Sequence, residues 1–217
     1  MKGTPIKVHW CLWLIVALTL VLATAIYPSL PEQVPVHWNA AGEVDGYGSR
    51  FTGAFGIPLL NLGLLLMMKY LPAIDPKKHN YEKFKGFYGI FIWIMVLFMT
   101  GLYLITIAWA LGYRPSIPLF TKLALGILFM VLGNYMGKVR PNWFVGFKTP
   151  WTLENEEVWI KTHRLAGPLL FGAGLITLCL AFVNHPSSFW IVIAVIMVAS
   201  FVPAIYSYLL YHRLTKN

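Results

Sequence analysis

The chain has 217 residues, of which 58% are hydrophobic and only 12% charged, with a mean hydropathy of +0.66. An ordinary soluble domain is roughly a quarter charged, so this composition excludes a water-soluble fold and implies an integral membrane protein. The formal charge of +9 would suggest nucleic-acid binding in a soluble protein. Here it marks orientation, with basic residues held on the cytoplasmic side, and no direct nucleic-acid binding is expected.

Apolar runs of about 20 residues fit a bilayer core of roughly 30 Å at 1.5 Å rise per residue. They are too long to be the alternating strands of a barrel. The first, residues 11–27, follows Lys2 and Lys7. Ala23-Thr24-Ala25 resembles a signal-peptide cleavage site, but several spans follow, and the segment reads as an uncleaved first helix with its N-terminus inside. Residues 28–52 form a polar extracellular loop, in which Pro28, Pro31, Pro35, Gly42, Gly46 and Gly48 predict turns and short extended pieces. The second span is 53–74, with Asn61 inside it and Lys69 snorkelling toward the inner headgroups. A basic connection from Asp75 to Gly86 leads to the third span, 87–111. A tight outer turn precedes the fourth, 119–137, with Lys122 near its outer end. The cytoplasmic motif loop 138–164 leads to the fifth span, 165–183, and an outer turn at 184–188 to the sixth, 189–211, which Pro203 is expected to kink.

Of the 17 Lys and Arg residues, only Arg50, Arg114 and Lys122 fall on the outer side in this scheme. That bias predicts six helices with both termini cytoplasmic: an all-α, polytopic transmembrane helix bundle forming one integral membrane domain over residues 1–217, in the bacterial cytoplasmic membrane. Cys11 and Cys179 lie in apolar segments, with no metal-ligand spacing and no expected disulfide. No cofactor is expected.

The stretch from Gly133 to Arg164 is the longest polar interruption, yet Trp143, Trp151 and Trp159 recur through it. Gly133 and Gly137 form a GxxxG pattern that suits close helix approach, and Arg140-Pro141 ends the fourth helix. Thr152 reads as an N-cap, followed by Glu154, Glu156 and Glu157 near the positive end of a helix dipole. Glu157 and Lys161 are spaced for an i, i+4 ion pair. Residues 153–164 therefore read as an amphipathic surface helix anchored in the interface by Trp151 and Trp159, with His163, beside Arg164, as an interfacial residue.

Catalytic and metal readings find little purchase. His163 and Glu157 are an acid–base combination in principle, but no HExxH, nucleophile elbow, P-loop or Cys/His cluster is present. His37, Glu43 and Asp45 have permissive metal spacing without a regular element to set their geometry. The alternative for that loop is turn chemistry at Asn39, Gly42, Asp45 and Gly46, with Trp38 and Tyr47 packing it on the membrane, or a docking site for an extracellular peptide. No Asp or Glu falls within a span, which argues against an ion-coupled transporter. The basic segment Lys77 to Phe87 is expected to attract anionic lipid.

Two stretches resemble a known family. LPEQVPVHWNAAGEVDGYGSR (Leu30 to Arg50) is similar to the outer-loop motif of small bacterial membrane proteins, a domain of unknown function. GNYMGKVRPNWFVGFKTPWTLENEEVWIKTHRLAG (Gly133 to Gly167) resembles the signature of the SdpI family of bacteriocin-immunity proteins, with a mild departure at Lys148, where arginine is as frequent. The resemblance implies immunity against a secreted membrane-active toxin peptide, without catalysis. It also implies a signalling role in which a small DNA-binding autorepressor is held at the membrane. Carried onto this chain, Trp38, Asn39, Gly42, Asp45 and Gly46 belong to the toxin-facing side. Asn142, Trp143, Gly146, Thr149, Pro150, Trp151, Thr152, Glu157, Trp159, His163 and Arg164 belong to the cytoplasmic motif. The expected partners are the lipid bilayer, the toxin and the repressor. The competing readings are a transporter or channel, and a membrane enzyme acting on lipid or envelope precursors through His37 or His163.

Overall fold

The computed structural model describes residues 6–183 and 185–215; the expectations resting on Lys2, Asn184 and Lys216 fall outside the described residues. The elements in chain order are α1 Trp10–Ile26, β1 Gln33–Trp38, β2 Val44–Ser49, α2 Arg50–Ile74, α3 Tyr81–Ala110, α4 Ile117–Met136, α5 Pro150–Glu154, α6 Glu156–Leu180 and α7 Ser187–Thr215. All the helices except α5 are long and apolar enough to cross a membrane, giving six candidate spans. The chain is an all-α, multi-pass membrane protein whose only described sheet is a two-stranded hairpin.

Two boundaries differ from the sequence expectation. The third helix starts at Tyr81, so the polar segment YEKFKG is helical; Phe84, at φ −134° and ψ 22°, kinks it where polar turns meet the apolar run. The surface helix and the fifth span are one continuous element, α6. The short extended pieces expected in residues 33–49 pair as a β-hairpin, with Val34 opposite Gly48 and Trp38 opposite Val44. Its register slips between Pro35 and His37, where proline offers no N–H to the ladder.

Contacts divide the chain into two compact units. One comprises Ile6–Tyr70 with Ile92–Thr121. Its core joins Ala23, Leu30, Val34, Ala54, Tyr103 and Ile107, so the strand residue Val34 is buried with helix residues. Asn61 ties α2 to α3 by donating to Val96 O and Thr100 Oγ1, both at 3.3 Å. Lys69 lies over the rings of Trp13 and Tyr70, at 5.3 and 5.2 Å, a cation–aromatic arrangement suited to a membrane interface.

The other unit comprises Leu71–Phe91 and the chain from Lys122 onward. Here α4 and α6 meet at glycines. A Cβ on Gly174 would lie 2.6 Å from Gly126 O, and a Cβ on Gly133 would lie 2.7 Å from Gly167 O. The close pairs are therefore spaced by seven on each helix, 126 with 174 and 133 with 167. Gly137, the second glycine of the GxxxG pattern, has only ordinary contact with Arg164. Small residues let helix backbones approach where lipid gives no hydrophobic drive.

Lys122 lies in this unit, near the start of α4. It is buried in α4, and its Nζ donates to Leu180 O, Val183 O and Ser188 Oγ at 2.9, 3.0 and 3.0 Å. All three ammonium donors are used, two of them on carbonyls at and just beyond the C-terminus of α6, where helical N–H partners run out. Two ionisable side chains, Lys122 in α4 and His163 in α6, are thus buried within candidate spans.

Candidate functional site

The α4–α6 connection folds around Asn142, which is fully buried. Its Oδ1 accepts from the N–H groups of Phe144 and Val145 at 2.9 and 2.7 Å. Its Nδ2 donates to Arg140 O and Val145 O at 2.9 and 3.0 Å. One amide thus supplies the backbone partners of a turn that has no ladder of its own, which a buried loop requires.

The α2–α3 connection is joined to this turn through Asp75. Its buried carboxylate accepts from Lys77 N at 2.7 Å, Tyr81 Oη at 3.0 Å and Trp143 N at 2.9 Å. Asn80 Nδ2 donates to Pro141 O at 2.8 Å, and Lys77 Nζ to Leu153 O at 3.2 Å. Sequence reading placed Asp75 in a basic connection and gave it no role. Its only signal was a carboxylate directly after an apolar run.

Trp159 and His163 form the floor of the loop. Both are fully buried, and their rings stack at 4.1 Å and 17°. Trp159 Nε1 donates to Val139 O at 2.9 Å. His163 Nε2 accepts the Phe147 N–H at 3.0 Å, and Nδ1 faces Trp159 O at 2.8 Å. A backbone N–H can only donate and a carbonyl can only accept, so the ring proton sits on Nδ1. Neither residue is interfacial as expected: Trp159 is a buried brace rather than a membrane anchor, and both nitrogens of His163 are occupied. Gly146 lies against this ring at φ +108°, and a Cβ there would fall on Nε2. Glycine is needed for both its dihedral and its lack of bulk.

The following turns are capped differently from the sequence reading. Thr149, not Thr152, is the N-cap of α5, with Pro150 in the first turn. Thr149 N donates to Thr152 Oγ1 at 2.9 Å, and Thr152 N to Thr149 Oγ1 at 3.2 Å, a reciprocal capping box. Asn155 then caps α6, its Oδ1 accepting from Glu157 N and Val158 N at 2.9 and 3.1 Å. The expected pair forms, with Lys161 Nζ 2.6 Å from Glu157 Oε1. Two contacts reach α7: the Thr149 and Ser207 hydroxyls at 2.9 Å, and the Trp151 ring on Tyr208 at 4.9 Å. Arg164 is exposed, and Trp143 keeps 50% of its surface exposed.

The hairpin residues do not form one cluster of exposed contacts. Asn39 Oδ1 accepts from Ala41 N and Glu43 N at 2.9 and 3.0 Å, and Gly42 takes φ +83° with Pro118 pressed against it. Gly46 sits opposite His37, where a Cβ would come within 2.8 Å of His37 Cβ. These three build the turn and strands. Trp38 packs edge-on against Trp109 at 5.9 Å. His37 and Asp45, paired at 2.5 Å, are exposed, as are Tyr47, at 60%, and Val36, Asn39 and Glu43. A regular element therefore does set the geometry of His37 and Asp45. Glu43 accepts from Asn39 Nδ2 at 3.0 Å instead. No cluster of three or more His, Cys, Asp or Glu suited to a metal is found among the described residues.

Comparison with known proteins gives three findings. Residues 138–207 match the SdpI/YfhL protein family, and residues 14–62 match a domain of unknown function. The immunity protein SdpI of Bacillus subtilis (strain 168) is 28% identical over 204 residues, covering 94% of this chain and 96% of the relative. No solved structure matches.

Proposed function

We propose, from the premise that this multi-pass membrane chain carries the SdpI/YfhL family region at residues 138–207, that it protects the cell against a secreted membrane-active peptide. The observation that carries this reading is the likeness to an immunity protein along 94% of the chain, hairpin and loop included. In this reading the α1–α2 hairpin is extracellular and meets the peptide, and the α4–α6 loop is cytoplasmic. Protection works by binding, without catalysis.

The loop is a docking platform rather than an active site. His163 is enclosed with both nitrogens bonded, so it has no free nitrogen with which to exchange a proton with a substrate. The exposed groups of the loop, Trp143, Glu157, Lys161 and Arg164, are suited to holding a cytoplasmic repressor when peptide is present. Trp151 ties that platform to α7 through Tyr208.

Lys122 is the observation that favours a transporter, since buried charge in a span often marks an ion path. Its three hydrogen bonds to the α6–α7 connection favour a structural clasp instead. The test is expression in a sensitive bacterium challenged with a panel of membrane-active peptides. Wild-type chain should raise the inhibitory concentration of at least one peptide over empty vector. No rise for any peptide, together with solute flux in liposomes above background, would replace immunity by transport.

A further inference from the structure

The bonds of Asp75 and Asn80 have an electrostatic consequence. They hold two basic runs together, with Lys77 and Lys83 on the α2–α3 side and Lys138, Arg140 and Lys148 on the loop side. The clamps are made through backbone groups of Pro141 and Trp143, which neutralise none of these cations. The acids within the two runs are already engaged. Asp75 is buried with three donors, and Glu82 is paired with Lys85 at 3.1 Å. The glutamates at 154, 156 and 157 follow beyond Leu153, and Glu157 is paired with Lys161. Joining the two segments gathers like charges along one seam, and an anion lying over it would relieve their repulsion.

The position of the seam says which anion is at hand. It lies where α2, α3, α4 and α6 begin or end, at the ends of four candidate spans, which is headgroup depth. Trp143 stands half exposed there with its N–H pinned by Asp75, and tryptophan favours that layer. We propose that the seam between the α2–α3 connection and the α4–α6 loop is a binding site for anionic phospholipid headgroups of the adjacent leaflet. It is independent of the immunity reading and of which face is cytoplasmic.

The test uses the full chain in nanodiscs of phosphatidylcholine and phosphatidylglycerol in equal amounts, released into mild detergent. Native mass spectrometry then counts the lipids retained. Each cation near an anionic surface contributes roughly five-fold. The wild-type chain should retain phosphatidylglycerol over phosphatidylcholine by more than about ten-fold, and high salt should reduce the preference. The variant K83Q/K138Q/R140Q should lose most of it. K161Q/R213Q, with two cations removed outside the seam, should keep it. Equal retention of both lipids by the wild-type chain overturns the proposal, and is the outcome expected if the seam serves an acidic polypeptide instead. Equal loss in both variants overturns it as well, because the attraction is then diffuse. The wild-type comparison requires no variant to fold.

Discussion

Asp75 Oδ2 accepts the backbone N–H of Trp143 at 2.9 Å, across 68 positions of sequence. This contact makes the α2–α3 connection part of the α4–α6 loop. Asp75→Ala would leave the N–H groups of Lys77 and Trp143 without this acceptor and Tyr81 Oη with only its longer bond to Asn142 Oδ1. It is expected to destabilise the folded protein by about 3 kcal/mol. Asp75→Asn keeps one acceptor oxygen and should cost roughly half as much. Reversible unfolding in mixed micelles measures both.

Gly146 and His163 form a testable pair. Gly146→Ala places a side chain at φ +108° and against Nε2, with an expected cost of about 3 kcal/mol. His163→Ala removes the acceptor of Phe147 N–H and the stacking partner of Trp159, with a cost of about 2–4 kcal/mol. The double variant should cost less than the sum by at least about 1 kcal/mol, because removing the ring relieves the clash. Strict additivity in a double-mutant cycle would contradict the packing described.

The three tryptophans should separate. Trp159→Phe loses the bond to Val139 O and should destabilise by about 1–3 kcal/mol. Trp143→Ala, at a half-exposed position, should change unfolding by less than about 0.5 kcal/mol. Unfolding of the two variants under one set of conditions decides.

That contrast indicates what was legible in the sequence. Six spans, the loop and the Glu157–Lys161 pair followed from hydropathy and local spacing, because those signals act within one or two helical turns. The depth of Trp159 and His163 did not. A tryptophan among charged residues reads as interfacial, and only the return of residues 139–147 over α6 covers these rings. The burial of Lys122 and the role of Asp75 were hidden for the same reason: the partners of Lys122, and Trp143 for Asp75, lie 58 to 68 residues away. The hairpin was hidden because glycines and a proline dilute its strand pattern. The paired glycines at 126 with 174 and 133 with 167 span two helices, which a search within one helix does not see.

Lys122→Met should remove the side-chain donor of Leu180 O and the nearer of two side-chain donors to Val183 O, and destabilise by about 2–3 kcal/mol. Lys122→Arg, with a longer and planar head, should restore only part of this. Unfolding of both, beside liposome flux at background level for the wild-type chain, checks the clasp assigned to this residue.

The proposed protection also requires the α4–α6 loop to be folded, since that loop lies within the family-matched region. It is tested most directly by survival of peptide-challenged cells expressing the wild-type or Gly146→Ala chain at matched membrane abundance. Protection by the wild-type chain, lost or strongly reduced in Gly146→Ala, is the predicted result. Equal protection by both chains, or none by the wild-type chain against any peptide, would contradict it.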